Sequence, residues 1–197
     1  MTTAAEIWSR IEGWLQSHDT NALASLNEPA SSDLISQLAA IVDIELPNEL
    51  IAVYSVHNGQ DEKRYASGLF PNGNAYGDMA HTFADIETVV ADHQMMTELL
   101  EIGQFADIEK VPSSAIKTAA WNKRWLPVAN DGGGDYHCID LDPGPEGTFG
   151  QVITVGESDI QTVVASSLTD WLRQVADEMD SGLLRVSEDY GLVRWAE

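Results

Sequence analysis

The chain has 197 residues, 44% of them hydrophobic, and a chain of this length buries roughly 70% of its unfolded surface, which excludes a wholly disordered protein. Ten Lys and Arg residues against 32 Asp and Glu residues give a formal net charge of −22. Such a charge repels nucleic acid and anionic lipid and favours basic partners, although acidity that only keeps a protein soluble is the alternative interpretation.

Apolar residues recur at helical spacing through the first half of the chain and predict four amphipathic helices. Ser31 or Ser32 caps the second helix. Pro47 suits the first turn of the third helix, and Asn58-Gly59 is the signal that stops it. His93 lies on the apolar stripe of the fourth helix, so we expect a core histidine with a hydrogen-bond partner. The helices are predicted over 7–15, from 31 or 32 to 42, over 47–54 and over 83–100, with a turn-rich stretch at 61–78.

Three strand patterns joined by glycine-rich turns follow and predict an antiparallel meander. Pro127 argues for an edge strand or for the start of a strand, because proline cannot donate to the ladder. A last helix begins near Ser167, and the tail after Gly182 is expected to dock as an extended segment. The strands cover 125–129, 136–141 and 151–155, the helix covers 168–179, and the anchors of the tail are Leu183, Leu184, Leu192, Val193 and Trp195.

No repeat or low-complexity linker divides the sequence. We therefore expect a single domain over 1–197, with a core of about 7–179 and a C-terminal extension of 180–197. The predicted fold class is α+β, with a small, mainly antiparallel sheet packed against several helices.

Cysteine use and hydropathy predict the compartment. Cys138 is the sole cysteine, so no intrachain disulfide and no cysteine zinc cluster can form, which favours a reducing environment. The N-terminus lacks a signal-peptide pattern, and no apolar stretch approaches the roughly 18 residues that span a bilayer. The cytoplasm is the expected location.

Two separated motifs resemble the SUKH superfamily, and two motifs in the right order are harder to obtain by chance than one. The pattern before that family's first strand is similar to Leu46-Pro47-x-x-Leu50 followed by Tyr54-x-x-His57-Asn58-Gly59-Gln60. Its central signature is similar to Trp125-x-Pro127, Asp131-Gly-Gly-Gly-Asp135, Cys138-Ile139-Asp140-Leu141 and Gly150-Gln151-Val152. The family comprises fungal cell-wall-assembly regulators and many bacterial immunity proteins that neutralise toxins. The resemblance implies a SUKH-like α+β fold and a binding protein without catalytic activity.

The glycine run between Asp131 and Asp135 has two interpretations. Three consecutive glycines supply positive φ angles, and the flanking carboxylates accept hydrogen bonds from turn amides, which predicts a tight connection between strands. A cation-binding loop is the alternative, but the spacing does not match a calcium-hand loop and the closing glutamate is missing. No GK[ST] follows the run, so it is not a phosphate-binding loop.

His137, Cys138, Asp140 and Asp142 resemble a set of metal ligands, but strand alternation separates them. His137 shares one face with Ile139, whereas Cys138, Asp140 and Asp142 share the other, so His137 and Cys138 cannot reach one ion from a regular strand. The two aspartates are neighbours on one strand, whereas catalytic carboxylates face each other across a substrate. We therefore predict neither a metal site nor a cofactor, and no catalytic residues.

The function follows from the resemblance and the charge. The resemblance implies an immunity protein that masks a cognate protein toxin in the cytoplasm, and the acidity suits a basic toxin such as a nuclease. A regulatory or scaffold protein of cell-wall assembly is the alternative. Neither nucleic acid nor a membrane is an expected partner, and the sequence leaves the oligomeric state open. We expect the partner to contact acidic residues around aromatic anchors, which otherwise belong to the core: Asp131, Asp135, Asp140, Asp142, Glu146, Trp121, Trp125 and Tyr136.

Overall fold

Helices occupy most of the N-terminal half of the protein, as the periodicity predicts. The computed structural model describes residues 2–61, 63, 68–71, 80–187 and 191–194. Over these residues the chain forms six helices, none of which is long and apolar enough to cross a membrane. They are α1 (Ala4–His18), α2 (Thr20–Ser25), α3 (Ser32–Val42), α4 (Asn48–Tyr54), α5 (Ile86–Glu101) and α6 (Leu168–Asp180).

Side chains cap these helices close to the predicted starts. Ser31 and Ser167 each accept a hydrogen bond from an amide in the first turn of α3 and α6, respectively. Helix α5 begins three residues later than predicted, because Asp85 caps it and Phe83 lies in a strand. His93 on α5 is buried, and its Nε2 lies 2.8 Å from the backbone oxygen of Lys123, which confirms the predicted core histidine.

Five strands form an antiparallel sheet in chain order, which confirms the predicted meander and the α+β fold class. A separate antiparallel hairpin follows α6. The sheet consists of β1 (Thr82–Phe83), β2 (Trp125–Asn130), β3 (Tyr136–Asp140), β4 (Gln151–Val155) and β5 (Val163–Ala165), and the hairpin consists of β6 (Leu184–Ser187) and β7 (Gly191–Arg194).

Two strand-level predictions need correction. Strand β2 is an interior strand between β1 and β3, and Pro127 sits at a bulge in its pairing with β3, where a missing donor is tolerated. The tail docks as a hairpin, with Leu184, Leu192 and Val193 buried and Leu183 42% exposed. Trp195 and the turns predicted at 72–78 lie outside the described residues.

Both faces of the five-stranded sheet are covered. On one face Leu126, Ile139 and Val152 pack into a core with the helices. On the other face Cys138 and Ile153 pack against residues of a long segment between α5 and β2. The alternation of a strand thus sorts side chains into two cores. The sheet therefore has no open face, contrary to the expectation that Asp140 and its neighbours would meet a partner there.

Candidate functional site

The eight residues predicted to bind a partner fall in three different places. Asp140, Trp121, Trp125 and, for most of its surface, Tyr136 are buried. Asp142 and Glu146 follow the C-terminal end of β3, whereas Asp131 and Asp135 precede its N-terminal end. The four residue steps of β3 separate its two ends by about 13 Å. The predicted residues therefore do not form one surface.

Asp140 serves the interior of the protein. Its side chain is fully buried, with Oδ1 accepting a hydrogen bond from Trp125 Nε1 at 3.0 Å and Oδ2 accepting one from Gln151 Nε2 at 2.9 Å. Burial raises the pKa of the Asp140 carboxyl, and these hydrogen bonds oppose the shift. Its placement on an open binding face is wrong, because the segment before β2 covers it.

The aromatic anchors belong to the core, the alternative that the sequence leaves open. Trp121 is 2% exposed, Trp125 is fully buried and Tyr136 is 7% exposed. The rings of the two tryptophans meet edge to face, with centroids 6.2 Å apart. Neither tryptophan can contact a partner without unfolding this core, although Tyr136 also reaches a cavity.

Asp142 and Glu146 attach the covering segment to the sheet. Asp142 accepts hydrogen bonds from Lys117 Nζ and from Asn122 Nδ2, and the Lys117 contact is the main cause that lowers the pKa of Asp142. Glu146 accepts a hydrogen bond from the Ser114 hydroxyl at 2.6 Å. We call these five residues, at the C-terminal end of β3, the closed end of the sheet.

The glycine run is a turn that its own aspartates hold together. Asp131 Oδ1 accepts hydrogen bonds from the amides of Gly133 at 2.7 Å and Asp135 at 3.0 Å. Gly132 and Gly134 have φ angles of 72° and 110°, in the region that glycine adopts without strain. These bonds confirm the prediction of a tight connection between strands.

A second loop and a distant lysine lie against this turn. Asp135 Oδ1 accepts a hydrogen bond from the Glu157 amide at 2.9 Å. Lys110 Nζ donates to the backbone oxygens of Gly156 and Ser158, at 2.7 Å and 2.6 Å. These bonds bring the segments around residues 110, 135 and 157 together at the N-terminal end of β3.

The assembled loops carry five carboxylates, which we call the acidic end of the sheet. None of the five forms an ion pair within the described part of the chain. Lys110, a cation beside these acids, is only 9% exposed and is bound to backbone oxygens. The negative field of this end therefore remains available to a partner. The acidic end comprises Glu109, Asp131, Asp135, Glu157 and Asp159.

Exposed apolar side chains accompany these acids. Ile160 is 56% exposed, Val111 is 47% exposed and Val163 is 42% exposed. The amide of Val111 donates to the backbone oxygen of Asp159 at 2.8 Å, which places Val111 beside the loop that carries Ile160. Apolar contact residues with a charged rim are typical of a protein-binding surface.

A cavity of about 220 Å³ opens at the acidic end, where β3 and β4 meet. The pairs Tyr136 with Val155 and His137 with Thr154 form the strand part of its lining. The remaining lining comes from the loops and from the residue just before β1. The cavity is lined by His81, Asp135, Tyr136, His137, Thr154, Val155, Gly156, Ser158 and Ile160.

Two buried histidines pack against each other in the lining of the cavity. His81 is 1% exposed and His137 is 4% exposed, and their ring centroids lie 4.4 Å apart. Burial, followed by the neighbouring His81 and by Arg194, lowers the pKa of His137 to about 3, and burial also lowers the pKa of His81. Both rings are therefore neutral at neutral pH.

The Nδ1 atoms of His81 and His137 have no hydrogen-bond partner among the described residues. Unpaired buried polar atoms are rare and costly, so these two Nδ1 atoms are unusual, and both belong to residues that line the cavity. Among the same residues no three His, Cys, Asp or Glu side chains converge as metal ligands do.

Sequence reasoning missed His81 and treated His137 only as a metal ligand. The two residues lie 56 positions apart, and no local pattern joins positions so distant. The available signal was strand alternation, which puts His137 on the same face as Ile139 and so predicts an unusual histidine in the core.

A family model described as SMI1 / KNR4 family (SUKH-1) matches residues 29–174. Similar curated proteins include "Cell wall assembly regulator SMI1" of Saccharomyces cerevisiae, 22% identical over 93% of this chain and 42% of that protein. The "Cell wall biosynthesis/cell cycle regulator smi1" of Schizosaccharomyces pombe is 28% identical over 96% of this chain and 39% of its own length. The "Glucan synthesis regulatory protein" of Neurospora crassa is 25% identical over 94% and 40%. The chain thus spans about two fifths of the length of these relatives.

These relatives contradict the predicted immunity function. All three are fungal proteins whose names describe regulation of the cell wall, its biosynthesis or glucan synthesis. The prediction was wrong because the family resemblance covers both regulators and immunity proteins, and because an acidic surface suits any basic partner, whether a toxin or not.

Proposed function

The chain belongs to the SMI1/KNR4 (SUKH-1) family, and from this we propose that it is a regulatory or scaffold module of cell-wall assembly that binds other proteins and catalyses no reaction. One observation carries the proposal: three relatives with cell-wall or glucan-synthesis regulator names align with 93 to 96% of the chain. We also place the module in the cytoplasm, because its sole cysteine is a buried thiol and no intrachain disulfide can form.

The acidic end supports binding of a basic protein partner. Its five carboxylates have no ion pairs in the described part of the chain, so their field extends into solvent. A field of this kind raises the rate of encounter with a positively charged surface and repels phosphate groups. We expect association to slow as salt rises, since the Debye length falls from roughly 10 Å at 0.1 M to roughly 3 Å at 1 M.

The state of the potential catalytic groups supports a non-catalytic role. Asp140 is buried and bonded to Trp125 and Gln151, whereas Asp142 is paired with Lys117, so the two carboxylates do not face a common cavity. Burial, with Asp140 second, raises the pKa of the Cys138 thiol well above its ordinary value, which disfavours the nucleophilic thiolate.

A chimera tests the proposal in a cell. The matching segment of the Schizosaccharomyces pombe relative is replaced by this chain, and survival is measured after treatment with a cell-wall-digesting glucanase. We expect the chimera to resist the treatment better than a version that lacks the segment. A chimera that is present at normal abundance and is no more resistant than the deletion would overturn the proposal.

A matched pair of variants tests the role of the acidic end in the same cells. The first carries Glu109→Gln, Glu157→Gln and Asp159→Asn, and the second carries the same change of charge at three exposed acids elsewhere, Glu28→Gln, Glu45→Gln and Glu49→Gln. We expect the first variant alone to lose resistance and to lose cross-linked partner proteins at low salt. Equal loss in both variants would show that total charge, and not this surface, matters.

A further inference from the structure

The cavity at the acidic end has hydrogen-bond acceptors in its lining, among them the carboxylate of Asp135. Burial lowers the pKa of His81, the nearby carboxylates of Asp131 and Asp135 oppose this shift, and its Nδ1 has no hydrogen-bond partner among the described residues. A neutral imidazole that donates through one nitrogen accepts through the other. In the tautomer that carries its proton on Nε2, His81 offers Nδ1 as an acceptor, and the carboxylates of Asp131 and Asp135 lie near enough to act on the same ring.

The surroundings already hold one desolvated cation. The ammonium group of Lys110 lies 2.7 Å and 2.6 Å from two backbone oxygens of the loop that lines the cavity, and this residue is 9% exposed. Lys110 binds the loop from its own segment and is not part of the cavity lining. The two backbone oxygens compensate for the burial of this positive charge.

We propose that the cavity receives the side chain of one arginine of the basic partner, with the guanidinium against His81, His137 and Asp135. This inference rests on the proposed function, because it names the group by which the partner is recognised. A guanidinium has only donors, which match an acceptor lining, and it would supply partners for the bare Nδ1 atoms.

Arginine suits this cavity better than lysine for two reasons. A guanidinium is more weakly hydrated than an ammonium, so moving it from water into a cavity lined by two buried rings costs less. Its planar fork of five donors can reach acceptors on several sides, whereas an ammonium is a compact point charge. The two neutral histidines add no positive charge, and the charge of Arg194, which acts on His137, is paired with Glu178.

The test uses N-acetyl-arginine amide as a probe, with the histidine rings of the full chain observed by NMR. We expect saturable shifts of the His81 and His137 ring signals, whereas His18, His57 and His93 serve as internal references. N-acetyl-citrulline amide has nearly the same shape without the charge, and we expect it to bind about tenfold more weakly. Absent or equal shifts with the citrulline probe would overturn the proposal, and equal binding of N-acetyl-lysine amide would overturn the choice of arginine.

A variant locates the probe. Asp135→Asn keeps an oxygen for the Glu157 amide and removes the charge, so we expect about tenfold weaker binding of the arginine probe. Glu49→Gln makes the same kind of change at an exposed acid outside the cavity lining and should leave binding unchanged. Unchanged binding to Asp135→Asn would contradict the site.

The two proposals can fail separately. A chimera that restores resistance to glucanase, combined with histidine rings that the arginine probe does not shift, would remove the arginine site and leave the proposed function. A probe that binds as expected, combined with a chimera that does not restore resistance, would remove the cell-wall function and leave a cation-binding cavity.

Discussion

The two ends of the sheet carry the same type of residue and use it differently. At the closed end, Asp142 and Glu146 are bonded to Lys117, Asn122 and Ser114, and their charges hold one segment on another. At the acidic end, five carboxylates have no ion pairs in the part of the chain that the structure describes, and a cavity opens among them. The comparison teaches that the number of acidic residues predicts a negative electrostatic field. The neighbours of each carboxylate decide whether its charge is neutralised within the protein or acts on a partner.

Substitution of Trp171, which packs beneath the acidic end, is expected to have the largest effect on stability. Trp171 on α6 is 2% exposed, stacks on Phe70 with centroids 3.8 Å apart and lies 4.7 Å from His137. Trp171→Ala should lower the free energy of unfolding by about 3–5 kcal/mol, the cost of deleting a buried large aromatic side chain. Urea denaturation measures this change. Trp14→Ala at a partly exposed position should cost less, and a loss below about 1 kcal/mol for Trp171→Ala would show that the acidic end does not depend on this packing.

A fall in pH should destabilise the protein through the buried histidines at the acidic end. The pKa of His137 is lowered to about 3 by burial, then by His81 and Arg194, so the folded state binds a proton less readily than the unfolded state. The stability from the neutral ring is complete above the unfolded pKa of about 6.5 and is lost as the pH falls towards 3, by up to about 3 kcal/mol between pH 6.5 and 4.5.

The measurement is urea denaturation at pH 6.5 and 4.5. Wild type should lose more stability over this interval than His137→Gln, because the variant has no ring to protonate. His18→Gln removes an exposed ring and should behave like wild type. Equal losses in wild type and His137→Gln would contradict the depressed pKa.

Replacing a glycine by alanine should destabilise the protein at both ends of the sheet, but for different physical reasons. A Cβ at Gly147, at the closed end, would lie 2.1 Å from the backbone oxygen of Ala115, and this overlap should cost about 1–3 kcal/mol. A Cβ at Gly134 meets no atom within 4 Å, but the φ angle of 110° strains any other residue, at about 1 kcal/mol. Thermal unfolding compares the two variants, and a larger loss at Gly134 would mean that backbone strain in this turn costs more than the steric overlap at Gly147.

Removing charges should change the stability least, and in opposite directions at the two ends of the sheet. Asp142→Asn removes an ion pair whose lysine is half exposed, so stability should fall by no more than about 1 kcal/mol. The triple variant Glu109→Gln, Glu157→Gln and Asp159→Asn removes charges that form no ion pair in the described part of the chain, so stability should stay equal or rise slightly. Denaturation at low salt, where both effects are largest, gives the comparison. A loss in the triple variant equal to that of Asp142→Asn would mean that both ends use their acids alike.

Local patterns predicted most of the regular structure. The apolar period identified α1, α3, α4, α5 and α6, and alternation identified β2, β3 and β4, because each pattern reports which side of a segment is buried. The six-residue helix α2 and the two- and three-residue strands β1 and β5 were missed. Each is too short to show the period of its own type of element.

The candidate site was only partly predictable. Asp131, Asp135 and Tyr136 were identified from the sequence and do lie at the acidic end or in its cavity. Their role in binding a partner stays a prediction. Asp140 was misplaced, because a strand that alternates does not reveal whether its second face meets water or another layer.

The sequence by itself determined most of the longer elements of this protein, the turn from Asp131 to Asp135 and the family resemblance, because each depends on residues close together in the chain. The tertiary structure alone decided which acids are paired, since Lys117 reaches Asp142 across 25 positions. It alone placed His81 against His137 and left both Nδ1 atoms without partners. Pairing and burial depend on contacts between distant segments, and such contacts leave no periodic trace in a single sequence.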